Sequence, residues 1–332
     1  MTGCASPPEI RFGQPKAAEL LGRSLTSGKL AHAYLFRGPA GVGKRAAAIA
    51  FAARINCGQP EGDTGCGRCP SCRKFFSGNH PDLMVVAPEG AAIKISQVRE
   101  VKKGLAFPPF EARHRVVLLT DIHTMRREAA NSLLKTLEEP PADTILILTG
   151  DEAGDILPTI LSRCQVIPFF ALPYHCLATT LQDENALSTE EAFTLAAAAE
   201  GSLDRARALI KNDLLSCRRE IVHTLLQYPA TGATAVEPIL ALTDRAAELK
   251  EELPDLLDLL RLWLRDLIVT TVGGAPDLIT SRDLLPSFAA ARQRWPLTEL
   301  FDRLARIDQA EKQLLRNCNR ALVCEVLFFA LL

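Results

Sequence analysis

No stretch of this 332-residue chain approaches the roughly 18 uninterrupted apolar residues of a membrane helix, so no membrane partner is expected. The first residues lack the basic-then-apolar pattern of an export signal, and the expected location is the cytoplasm. An excess of one charge is also missing. Lys and Arg number 38 against 39 Asp and Glu, a net charge of −1. That excludes a polyanion binder working over its whole surface and leaves only a local patch for nucleic acid. Aromatic residues are scarce at 6%, which argues against base-stacking platforms. There is no internal repeat and no low-complexity segment. What remains is an ordinary globular composition, 48% apolar, long enough for about two or three domains.

Up to about residue 170, short apolar runs alternate with helical patterns. The runs Ala33–Phe36, Leu83–Val86, Val116–Thr120, Ile145–Leu148 and Val166–Phe169 are apolar at nearly every position. Strands buried on both faces of a parallel sheet read this way, and a doubly wound α/β domain is expected. Ser96–Leu105 reads as an intervening helix with Ser96 at its N-cap. Beyond residue 170 the strand signals stop. Ser188 and Thr189 before Glu190 and Glu191 mark a helix start. Leucine-rich periodic runs follow, including 256–267 and 300–332, and Gly273–Pro276 and Pro286 mark loops.

Ten cysteines are present, and in a cytosolic chain they are thiols or metal ligands. Four of them, Cys57, Cys66, Cys69 and Cys72, fall within sixteen residues filled with Gly, Pro, Asp and Arg. Four thiolates suit tetrahedral Zn²⁺ and leave no open position for substrate, so a structural zinc is expected. An iron–sulfur cluster and four unconnected surface cysteines are the other readings. The remaining six cysteines read mostly as buried small hydrophobes.

The run Gly38-Pro39-Ala40-Gly41-Val42-Gly43-Lys44-Arg45 follows an apolar strand and precedes a helix-forming segment. That is the arrangement of a phosphate-cradling P-loop, with Gly38, Gly41, Gly43 and Lys44 as the cradle. A working loop places Ser or Thr after the lysine to ligate Mg²⁺. Arg45 has no lone pair to give. A second nucleotide signal is Arg115–Asp121, a buried strand ending in Asp as a Walker B segment does. Standing alone, Asp121 reads as a strand-end cap. The catalytic glutamate expected next is Ile122, which cannot polarise water. Two catalytic positions in two motifs are replaced, which favours a site that does not hydrolyse ATP.

His32–Pro39, Asn131–Pro141 and Pro158–Cys164, with the cysteine insertion directly after the P-loop helix, closely resemble clamp-loader subunits of bacterial DNA polymerase III, of the AAA+ ATPase class. The run 314–322 resembles their collar, and the resemblance covers essentially the whole chain. It implies an AAA+ P-loop domain over 1–170 with a zinc module at 57–72, a helical lid over 171–212 and an all-α oligomerisation collar over 213–332. Among those subunits the tau/gamma motors carry Lys-Thr or Lys-Ser and Asp-Glu where this chain has Lys44-Arg45 and Asp121-Ile122. The non-motor kind is the better match.

The resemblance further implies that Arg163, in Ser162-Arg163-Cys164, is an arginine finger offered in trans to a neighbour's ATP. The bland reading of Arg163 is a surface arginine holding a loop carboxylate. Asp204 stands where active members place the sensor-2 arginine, and Arg205 is one residue around the helix. Implied partners are tau/gamma and delta subunits, the sliding clamp and primer–template DNA, within a nucleoid-associated replisome. No ATPase or polymerase activity of the lone chain is implied. Arg99, Lys102 and Lys103, then Arg113, His114 and Arg115, then Arg126 and Arg127 would touch DNA phosphates. The bland reading of each group is a solvated charged face. Two rival functions are a tau/gamma-like ATP-hydrolysing motor and a zinc-dependent DNA-binding module.

Overall fold

A computed structural model describes residues 13–60, 62, 64–151, 156–228 and 233–332. The chain divides into two compact units between Leu172 and Pro173. No helix among the described residues is long and apolar enough to cross a membrane.

The first unit contains α1 (Pro15–Thr26), β1 (Ala33–Arg37), α2 (Lys44–Ile55), α3 (Pro70–Phe76), β2 (Leu83–Val86), α4 (Ile95–Gly104), β3 (Arg115–Leu119), α5 (Arg127–Glu138), β4 (Thr144–Gly150), α6 (Pro158–Leu161) and β5 (Gln165–Pro168). The strands form one parallel sheet in the order β2-β3-β4-β1-β5. Side chains alternate across it with period two. Tyr34, Phe36, Val116, Leu118, Ile145 and Ile147 join the core under α1 and α2. Ala33, Leu35, Val117, Leu119, Leu146 and Leu148 join the core under α4 and α5. Helices therefore cover both faces, and the middle positions of the three central strands are apolar, with polar residues such as Arg37, Arg115, Thr144 and Thr149 at or near the strand ends. The edges are not fully covered. Val85 of β2 and Val166 of β5 are exposed, so the expectation of burial on both faces holds only for β1, β3 and β4.

Two boundary readings need correction. Ser96 is not the N-cap of α4. The Gln97 side-chain oxygen accepts from the Lys94 backbone N–H at 2.9 Å, and the helix starts at Ile95. Pro286 does not mark a loop. It lies in the first turn of a helix, where its fixed φ fits and no N–H is needed.

Among the described residues the second unit is all helical: α7 (Tyr174–Glu184), α8 (Thr189–Ala198), α9 (Leu203–Lys211), α10 (Leu214–Gln227), α11 (Val236–Glu248), α12 (Leu253–Thr271), α13 (Leu285–Arg294), α14 (Leu297–Leu315) and α15 (Arg320–Leu331). Ser188 caps α8 through a reciprocal pairing with Glu191, as the sequence suggests. The periodic run 300–332 is two helices, broken where Asn317 takes φ 58° and Asn319 caps α15. The core centres on buried Trp263, edge-on to Trp295 at 5.9 Å. Helices α7 to α15 fall within this one unit. Thr194 of α8 donates to Asp283 at 3.0 Å, and Arg205 of α9 binds Asp255 of α12 at 2.8 Å.

Candidate nucleotide and metal sites

The loop after β1 lies at the carboxyl end of the sheet, where parallel α/β folds bind ligands. A Cβ on Gly38 would stand 2.1 Å from the Phe169 carbonyl oxygen, so only glycine fits there. Gly41 and Gly43 take φ 72° and 89°, and Gly43 leads directly into α2. The loop is thus a glycine-rich turn between β1 and α2. Its lysine is turned inward. Lys44 is 7% exposed, and its Nζ donates to the carbonyl oxygens of Gly38 and, at 2.7 Å, Pro39. Burial lowers the Lys44 pKa, while the carboxylates of Asp151 and Asp121 oppose that shift. The Arg45 side chain is exposed and makes no hydrogen bond or ion pair among the described residues.

Asp121 follows β3 in a left-handed conformation, φ 54°. Its N–H donates to Thr149 Oγ1 at 3.1 Å, and its carbonyl accepts from Thr124. Its side chain makes no capping bond, so the main chain does the turning and the strand-end cap is not its role. Ile122 is 4% exposed and belongs to the core beneath the sheet with Ile160 and Leu148. It is a packing residue, not a hydrophobe standing in the phosphate crevice.

The four clustered cysteines come together. Their Sγ atoms all lie within 4.8 Å of one another. A tetrahedral zinc with Zn–S of about 2.3 Å spaces its sulfurs by about 3.8 Å. Backbone amides of Cys66, Cys69 and Cys72 point at the sulfurs of Cys57, Cys66 and Cys69, at 3.5, 3.4 and 3.3 Å. Such donors stabilise thiolates. The Cys66 thiol is pulled down to about 6, first by the amides of Cys69 and Arg68. Burial pushes the Cys72 thiol up. The other cysteines are less uniform than expected. Cys217 and Cys324 are buried, Cys164 and Cys176 half-buried, Cys318 exposed, and Cys4 lies outside the described residues.

Arg163 follows α6 and precedes β5. Strands β1 and β5 run parallel with Tyr34 opposite Gln165 and Arg37 opposite Pro168. Gly38 follows one end of this pair and Arg163 precedes the other. The strands rise about 3.3 Å per residue, so the two sites stand a strand length apart, at opposite ends of the β1–β5 pair. Arg163 is held at the amino-terminal end. Its terminal nitrogens donate to Glu138 at 2.7 Å, the Thr159 carbonyl at 3.1 Å and Ser162 at 3.2 Å.

The family matched over residues 13–173 is described as "DNA polymerase III, delta subunit". A DNA polymerase III subunit delta' from Bacillus subtilis (strain 168) is 30% identical over 314 residues, covering 94% of each chain. The chain belongs to the DNA polymerase III delta-prime family. A Pseudomonas aeruginosa delta' is 42% identical over 171 residues, 50% of this chain and 52% of that one. The Escherichia coli (strain K12) DNA polymerase III subunit tau is 34% identical, but over 61% of this chain and 32% of its own. A Thermotoga maritima structure titled as gamma subunit-related covers 94% of this chain and 97% of its own at 19% identity and TM-score 0.44.

Within this delta-prime chain the basic groups divide. Arg115 is buried and is not a phosphate contact, because its guanidinium donates to the carbonyls of Phe107 and Pro108 at 2.8 Å and to Asp82 at 3.3 Å. Arg99, Arg113, Arg126 and Arg127 are exposed, and Lys103 pairs with Glu100 at 2.7 Å. Asp204 is exposed at the start of α9, while Arg205 is committed to Asp255 and Asp258.

Sequence reasoning missed the loop before β3. Asp82 is fully buried and accepts from the backbone N–H groups of Phe110, Glu111 and Ala112 at 2.6, 2.8 and 2.9 Å. Together with Arg115 it holds Phe107 and Phe110 outward, 72% and 82% exposed. The run Phe107-Pro108-Pro109-Phe110, two stiff residues between two aromatics, is the signal in the sequence.

Proposed function

We propose that this delta-prime chain is the non-motor subunit of a clamp loader. It leaves its own P-loop without turnover, offers Arg163 to the ATP of a neighbouring tau/gamma motor, and with delta helps load the sliding clamp onto primed DNA. The observation that carries this reading is the position of Arg163, a strand length from Gly38 at the other end of the β1–β5 pair. A guanidinium there has no route to its own phosphate cradle, so any phosphoryl group it meets belongs to another chain. Arg45 in place of a metal-ligating hydroxyl and Ile122 in the core both support a silent home site.

The four thiolates of Cys57, Cys66, Cys69 and Cys72 would hold one structural zinc, which crosslinks the segment between α2 and α3. No catalytic step is assigned to it, because four sulfurs leave no open position. The helices within 171–212 act as a lid and those within 213–332 as an oligomerisation collar. Phe107 and Phe110, rigidly presented, supply apolar anchors for a protein of the assembly.

ATP turnover by this chain alone, and by the assembly with wild type against Arg163→Ala, tests the reading. A silent lone chain and a sharp loss with Arg163→Ala support it. Turnover by the lone chain favours the motor reading.

A further inference from the structure

We infer that Glu138 is the positioning residue for the Arg163 guanidinium, orienting it toward a neighbour's phosphate; this rests on the trans-finger reading above. Glu138 is the last residue of α5. Free carbonyls at that end already carry partial negative charge, so a carboxylate is disfavoured there. Glu139 follows it, adding to the same charge. Lys135 supplies a cation within the last turn, but the ion-pair partner of Glu138 comes from outside the helix, through Arg163 Nη2 at 2.7 Å. Both side chains are solvent-accessible, 34% for Arg163 and 49% for Glu138, and an ion pair of that exposure contributes little to folding. Stability therefore does not explain the arrangement, whereas geometry does.

An arginine side chain has many rotamers, and ordering it only when phosphate arrives would cost entropy at the reacting step. Here the ordering is done in advance. Nη1 donates to the Thr159 carbonyl and to Ser162, and Nη2 donates once to Glu138. Three of the five N–H donors are used. The Nε donor and one on Nη2 have no partner among the described residues, and these are left to meet phosphoryl oxygens. Glu138, Arg163, Ser162, Gln165 and His32 line an open depression of about 590 Å³, so a phosphate on a facing chain has access to the free donors. Glu138 touches no reacting atom in this account. It acts through Arg163.

The test uses the assembled clamp loader with motor and delta subunits, clamp and primed DNA. Four variants of this chain are compared with wild type: Glu138→Ala, Glu138→Gln, Arg163→Ala and the double change. Glu138→Ala should lower DNA-stimulated kcat by about tenfold with KM for ATP within about twofold, the signature of a misplaced transition-state contact. Glu138→Gln keeps an acceptor oxygen and should restore most of the rate. Arg163→Ala should cost about 10³-fold, and the double variant should be no slower than Arg163→Ala alone. Thermal unfolding of Glu138→Ala should match wild type. Wild-type turnover by Glu138→Ala beside a crippled Arg163→Ala overturns this inference alone, as does a double variant in which the two losses multiply. Wild-type turnover by Arg163→Ala overturns the finger reading and this inference with it.

Discussion

The Nζ of Lys44 donates to the Pro39 carbonyl oxygen at 2.7 Å, so the lysine that would grip a phosphate instead closes its own loop. A nucleotide must break that bond, and the matching one to Gly38, before it gains the lysine. Restoring the missing hydroxyl alone should not create a motor. Arg45→Thr is expected to permit at most weak Mg–nucleotide binding by calorimetry, with no phosphate release. Steady turnover by that variant would mean that Arg45 alone silences the site.

The second lesion is deeper. Ile122 is 4% exposed inside an apolar cluster, so Ile122→Glu buries a carboxylate among hydrophobes. The expected outcome is a destabilisation of about 3 kcal/mol or more in denaturant titrations, without gain of ATPase. A folded, hydrolysing Ile122→Glu chain would contradict the packing role given to Ile122.

Metal analysis of the purified chain should find one zinc per chain and no iron. Replacing Cys69 by Ser, or chelation, should lower the melting temperature and release the segment around α3 to proteolysis. An iron–sulfur absorption spectrum, or a full complement of zinc in Cys69→Ser, would contradict the tetrahedral thiolate site.

Asp82 and Arg115 give a pH prediction. Burial works against the Asp82 charge, but the N–H groups of Glu111, Phe110 and Ala112 and the Arg115 guanidinium outweigh it, and the pKa is lowered. A carboxylate with a depressed folded pKa stabilises the fold above its unfolded pKa of about 3.9. That stability is lost as pH falls from there through the folded value. Asp82→Asn should therefore be destabilised at neutral pH by about 3–5 kcal/mol, as expected when a buried charge loses its partner. Its stability should fall less steeply than wild type below about pH 4. Identical acid profiles would remove Asp82 as the brace of the Phe107–Phe110 loop.

The sheet was legible because each central strand is covered on both sides, and that forces a continuous apolar run. The P-loop and the cysteines were legible because their members lie close together in the chain. Asp82 and Arg115 were not, since they are 33 residues apart and meet only when β2 pairs with β3. Read locally, Arg115 is one more cation in a basic cluster. Glu138 and Arg163 are 25 residues apart and meet for the same kind of reason. The start of α4 was misread because Ser96 is a good cap by type, whereas the Gln97 side chain reaching back to Lys94 decides it.

The most direct test of the central claim is DNA-stimulated ATP turnover by the full assembly with wild-type chain and with Arg163→Ala, beside the lone chain. The account predicts no turnover by the lone chain and a loss of about 10³-fold in the assembly when Arg163 is removed. Unchanged turnover with Arg163→Ala, or turnover by the lone chain, would contradict it.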